Sequence, residues 1–192
     1  MKGYVTEAPD LVYNFCFSVV RDDLLRAANE HSRNRCACFG RKVLGLDAVG
    51  ELIYSLTEVV NLSDPLPILT AVSTAVAQAF LFSLRHPKKA ISVKLVHFFE
   101  FELSKFCQWL DKLDLAQNEK LKLRNLRCLR KVEAVLKCIQ VPASRSNIFS
   151  TRPNRIMPIA DTGPQVNEDV LSDQEKRYWQ SVSSRNLLPS CF

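Results

Sequence analysis

"PLPILTAVSTAVAQAFLFSL" occupies residues 65–84 and contains no charged side chain. It is long enough to cross a bilayer, so its reading decides what kind of molecule the rest of the chain can make. Pro65, Pro67, Thr70, Ser73, Thr74, Gln78 and Ser83 interrupt the apolar run and weaken its transfer into lipid. A central helix, buried on most sides by its neighbours, accounts for the same composition. On this reading the segment is the axis of a helical protein, and no membrane is expected as a partner.

Helical spacing extends outward from that axis. Pro9 suits the first turn of a helix running to about Glu30, with Leu11, Val12, Phe15, Cys16, Val19, Val20, Leu24, Leu25 and Ala28 recurring on one side. Asp47 can cap a second helix to about Asn61. Ser63 or Asp64 can cap the uncharged third, and Pro87 opens a fourth with a wide apolar face from Ile91 to Leu110. A fifth is predicted from about Gln117 to Gln140, with Leu121, Leu129, Val132, Leu136 and Ile139 facing inward and Pro142 ending it. After Pro142 the chain turns rich in Pro, Ser, Asn and Arg and loses apolar periodicity, as a linker does. Ser172 and Glu175 can form a capping box ahead of Tyr178, Trp179 and Val182, the signature of a short helix in the tail. The expected fold class is therefore all-α: a compact bundle of about five helices over residues 1–141, then a partly disordered tail over 142–192.

The 192 residues suffice for one sizeable core, and 47% hydrophobic content excludes general disorder. The opening MKGYVTEAPDLVYNF has Glu7 and Asp10 where a secretion signal needs an apolar run. Seven cysteines, an odd number, fit free thiols in a reducing cytosol, and Cys16, Cys107, Cys128 and Cys138 fall within predicted helices.

Charge is segregated along the chain. Residues 21–42 carry six basic and three acidic side chains, residues 43–84 four acidic and none basic, and residues 120–140 seven basic against Glu133 alone. Segregation of this kind is expected where one surface meets a polyanion. In a continuous fifth helix, Lys120, Arg124, Arg127 and Lys131 follow a 4-3-4 spacing and share a narrow arc. Either an anionic partner relieves their mutual repulsion, or acids elsewhere in the chain pair with them. Lys88, Lys89, Arg33, Arg35, Arg41 and Lys42 supply further basic clusters. No homeodomain, basic zipper or two-histidine finger is present for reading DNA bases. Basic helices that meet phosphates without reading bases suit double-stranded RNA. The group Phe98, Phe99, Phe101, Phe106 and Trp109 reads as core rather than as a stacking platform for single strands.

The stretch HSRNRCACFGRK, residues 31–42, adds a second chemistry. His31, Cys36 and Cys38 offer three zinc ligands, and Cys16 is the candidate fourth. A single residue between the two thiols strains chelation of one ion, so the stretch reads first as a basic loop and second as a zinc site. Neither His86 nor His97 lies in a motif that would place it beside a nucleophile. The chain also lacks a P-loop, G-x-S-x-G, G-x-G-x-x-G and H-E-x-x-H. An enzyme is not expected.

In layout the chain resembles the small RNA-silencing suppressors of the closterovirus family, especially the crinivirus type. The resemblance rests on the opening MKGYVTEAPDLVYNFCFSVVRDDLL, the early cluster His31-Cys36-Cys38 and the basic helices, over residues 1 to about 140. It implies an all-helical, non-enzymatic protein of the host-cell cytoplasm that binds double-stranded RNA, shields it from silencing and self-associates. It also implies a zinc-finger-like N-terminal region built on His31, Cys36 and Cys38. Two other readings remain open at this stage. One is an adaptor that sequesters a host factor through the 142–192 tail or the acidic 43–84 surface; the other is a membrane- or virion-associated accessory protein.

Overall fold

The computed structural model describes residues 4–33, 44–59, 64–85, 91, 93–145 and 170–184. Among them are seven helices and no strand: α1 (Tyr4–Arg33), α2 (Leu44–Val59), α3 (Leu66–Arg85), α4 (Val93–Lys112), α5 (Gln117–Arg124), α6 (Arg127–Arg145) and α7 (Asp173–Ser184). The all-α expectation holds, while the helix count differs because the fifth predicted helix divides and the tail helix joins the body.

The uncharged segment is the central element. α3 lies along α1 and also meets α5 and α6. By length and composition it could cross a membrane, yet 56% of its most apolar window is buried within the protein. Its caps behave as the sequence suggests, since the Leu66 N–H donates to Asp64 Oδ1 at 3.2 Å. α1 presents Cys16, Val20, Leu24 and Ala28, four residues apart and all buried, to the core. Phe17 of α1 meets Phe82 of α3 edge-on at 6.1 Å, and the Arg21 guanidinium covers both rings at 5.4 and 5.9 Å. On another side of α3, Phe80 packs edge-on against Phe99 of α4 at 5.7 Å.

Several boundaries differ from the sequence reading for identifiable reasons. α1 begins at Tyr4 and carries Pro9 inside it, where the missing N–H forfeits one bond of the opening turns. α2 begins three residues before Asp47, because Asp23 of α1 caps it: the Gly45 N–H donates to Asp23 Oδ2 at 2.5 Å. A carboxylate at a helix start also meets the positive end of the helix dipole. α6 continues through Pro142 to Arg145, losing only the bond to the Cys138 carbonyl. Phe101, expected in the core with its aromatic neighbours, is 62% exposed and lies under Lys105 Nζ at 5.8 Å.

Residues 170–184 complete the body. The expected capping box forms: the Glu175 N–H donates to Ser172 Oγ at 3.2 Å, and the Ser172 N–H donates to Glu175 Oε2 at 3.1 Å. α7 packs on α6, and Leu171 and Trp179 join the same core as α1, α3, α4 and α6. Burial of Trp179 alone contributes about 4–6 kcal/mol by area, an upper bound that explains why a segment distant in sequence docks here. Residues 146–169 and 185–192, on which the expectation of a disordered tail fell, lie outside the described residues.

Candidate polyanion-binding surface

The basic face expected on one long helix is divided in the fold. The chain turns at Asn125 and Leu126, with the Asn125 N–H bonded to the Leu121 carbonyl and the Leu126 N–H to the Leu123 carbonyl. Packing explains the break. Leu123 is 1% exposed, whereas Leu121, expected in the core, is 59% exposed. In a continuous helix Leu123 would lie roughly 160° from the face centred on Leu129, Val132 and Leu136, so it could not share their core. Lys120 and Arg124 therefore belong to α5, and Arg127 and Lys131 to α6.

Three of those four residues have protein partners. Lys120 Nζ donates to the Asp111 carbonyl at 2.8 Å, and Arg124 pairs with the Asp111 carboxylate at 3.2 Å. Lys131 pairs with Glu175 of α7, and this bond, helped by the Ser172 N–H, holds the Glu175 carboxyl below its ordinary range. Internal acids thus answer much of the repulsion that the spacing implied. Arg127 is exposed and has no ion-pair partner among the described residues.

The structure instead gathers cations along the outer side of α6. With Leu129, Val132, Val135, Leu136 and Ile139 buried, the opposite arc holds Arg127, Arg130, Ala134 and Lys137. Arg130 Nη2 donates to Asn125 Oδ1 at 2.8 Å, a neutral acceptor. No carboxylate among the described residues pairs with Arg127, Arg130 or Lys137. Arg130 and Lys137 were not singled out from sequence, although their seven-residue step, read with Arg127, marks one helix face. Lys122, next to buried Leu123 on α5, is also exposed.

A groove of about 530 Å³ runs beside this ridge, between α4 and the α5–α6 pair. Arg124, Arg130 and Lys137 line it, and Leu103, Leu121 and Leu136 contribute apolar surface. Glu100 and Glu133 also reach it; Glu100 is engaged by His97 Nδ1 at 3.1 Å. Cys107 borders the groove. Burial, and next the Glu133 carboxylate, push its thiol pKa up against the opposing pull of Arg124. It therefore stays protonated at neutral pH, the opposite of an activated nucleophile.

The remaining sequence candidates fall elsewhere. Arg33 and His31 lie in the last turn of α1 with their side chains outside the described residues. Arg35, Cys36, Cys38, Arg41, Lys42, Lys88 and Lys89 lie outside the described residues altogether. Cys16 is fully buried in the core, and burial pushes its thiol up to about 11. Because α1 is continuous, fifteen residues separate Cys16 from His31 by roughly 22 Å, so the two do not share an ion. Among the described residues no group of three His, Cys, Asp or Glu side chains is placed to hold a metal.

Compared with known proteins, the chain matches no family model, no curated protein and no solved structure.

Proposed function

We propose that the protein binds double-stranded RNA by its phosphates, without chemistry, and thereby withholds it from the silencing machinery in the cytoplasm of a host cell. The observation that supports this reading is the outer arc of α6, where Arg127, Arg130 and Lys137 lie within about 15 Å and lack acidic partners among the described residues. Like charges held on one rigid face repel each other, and a polyanion relieves that cost while releasing its own counterions. Duplex is favoured over single strands because α6, which carries these cations, has no aromatic residue for base stacking.

The test is a gel shift with duplex RNA, duplex DNA and single-stranded RNA at two salt concentrations. Arg127→Glu, Arg130→Glu and Lys137→Glu together should abolish duplex binding, and the wild-type affinity should fall steeply with salt. These positions are preferable to Arg124 and Lys131, whose reversal would also break the pairs with Asp111 and Glu175. Unchanged affinity in a folded triple variant would sink the reading.

A further inference from the structure

The groove beside the ridge has properties that phosphate-backbone binding does not use. Arg130 is half-buried, yet its only partner among the described residues is the neutral Asn125 amide, and one bond leaves most of its five donors free. A partly desolvated guanidinium without an acid favours a bound anion. Lys137 stands about 10.5 Å further along the same face of α6, within reach of a common group for two long side chains. Arg124 of α5 also lines the groove, with its guanidinium already paired to Asp111.

Apolar surface lies directly beside these cations. Leu103 and Leu136 are buried around the groove, and Leu121 is left 59% exposed at its edge. The Glu133 carboxylate has no ion pair among the described residues and can accept a hydrogen bond from an amino group. The volume, about 530 Å³, falls within the range of small-ligand sites. Anion-binding donors, an apolar surface and the Glu133 carboxylate, with Glu100 turned to His97, together match a phosphate joined to a flat, amino-bearing heterocycle.

We infer that this groove binds a nucleoside 5′-monophosphate, presented as the 5′-phosphorylated end of an RNA strand, with the phosphate on Arg130 and Lys137 and the base against Leu121. That the monophosphate belongs to RNA rests on the function proposed above; the groove's chemistry for a nucleotide does not.

Two measurements on the full chain separate these claims. Fluorescence anisotropy compares a labelled RNA duplex carrying a 5′-phosphate with the same duplex ending in a 5′-hydroxyl. The phosphorylated end should bind at least fivefold tighter. Lys137→Glu or Leu121→Asp, both at exposed positions, should erase that preference, while Arg127→Glu, off the groove, should weaken both duplexes alike. Calorimetry with AMP, adenosine and inorganic phosphate provides the second arm, with AMP binding the tightest and losing affinity in Leu121→Asp. Equal affinity for the two duplex ends overturns the inference while leaving duplex binding intact. Inorganic phosphate binding as tightly as AMP overturns it as well, since the groove would then be a simple anion site. AMP binding without any RNA binding supports the groove as a nucleotide site and sinks the RNA reading alone.

Discussion

Lys131 Nζ donates to Glu175 Oε1 at 2.5 Å, an ion pair that joins α6 to α7 across 44 residues of sequence. Glu175 also completes the capping box with Ser172, so a single carboxylate both starts α7 and fixes it on α6. Its folded pKa is lowered, chiefly by Lys131 and then by the Ser172 N–H. A lowered carboxylate pKa contributes stability above the unfolded value, about 4.3, and that stability is lost as pH falls through the folded value. Acidification below about pH 4.3 should therefore loosen α7 and red-shift the emission of buried Trp179, read in a Trp109→Phe background. Glu175→Gln should show the loosened state already at neutral pH and a shallower response to acid.

Trp179→Ala should destabilise the whole body by about 3–5 kcal/mol, because the indole lies in the shared core and not in a separate tail. Denaturant titration followed by circular dichroism measures it. A loss confined to a small helical fraction, with the main transition unmoved, would show that α7 folds independently. Removing residues 142–192 should for the same reason lower the melting temperature of everything left, so such a deletion is a poor separator of RNA binding from partner binding.

How far the sequence foretold this arrangement depends on whether the deciding contact was local. The Ser172–Glu175 box was legible because both of its partners lie within four residues. Asp64 at the start of α3 was legible for the same reason. The start of α2 was not, since its cap comes from Asp23, 22 residues upstream. The division between α5 and α6 had a trace in the sequence: Leu123 and Leu126 do not fit the phase of Leu129, Val132 and Leu136. No Gly or Pro marks the turn, and the 4-3-4 spacing of the cations is that of a continuous helix. That one misphasing moved the candidate surface from Lys120, Arg124, Arg127 and Lys131 to Arg127, Arg130 and Lys137.

Ser73→Ala should raise stability by about 1 kcal/mol, which is about 2–4 °C in melting temperature for a chain of this size. Ser73 is fully buried in α3, and its Oγ has no hydrogen-bond partner among the described residues. Alanine removes an unsatisfied hydroxyl, leaves little void and favours helix. A fall in melting temperature would mean that the hydroxyl has an ordered partner in solution.

Glu102 gives the fold an opposite pH response to that of Glu175. Its side chain is 1% exposed, and its hydrogen bond comes from Lys105 Nζ at 3.2 Å, which also stands 3.9 Å from Asp47 on α2. Burial raises its pKa above the ordinary carboxylate range, outweighing Lys105, and the Asp47 charge pushes the same way. A raised folded pKa means that the native state holds the proton longer than the unfolded chain. Stability then declines as pH rises from the ordinary carboxylate value through the folded one. Glu102→Gln keeps an acceptor for Lys105 and should remove that decline, so the variant gains on the wild type as pH rises from the ordinary carboxylate range upward. Urea titrations across this range, with parallel curves for the two proteins, would show that the carboxyl does not titrate abnormally.

Gly45→Ala should destabilise the junction of α1 and α2 even though alanine is the better helix former. A Cβ at this position would come 2.8 Å from the Val19 carbonyl oxygen, a backbone atom that cannot swing aside. It would also come 3.2 Å from Asp23 Oδ2, the atom that accepts the Gly45 N–H. Relief requires α2 to withdraw from α1, which lengthens the cap and loosens Leu46 and Val49 in the core. Asp23→Asn keeps an acceptor without the charge and should cost less than Asp23→Ala, whose loss of the cap is worth about 1 kcal/mol. Thermal melts of the three variants rank these effects. If Gly45→Ala melted at or above the wild type, α2 would have room to move, and the close approach of the two helices would not be what selects glycine here.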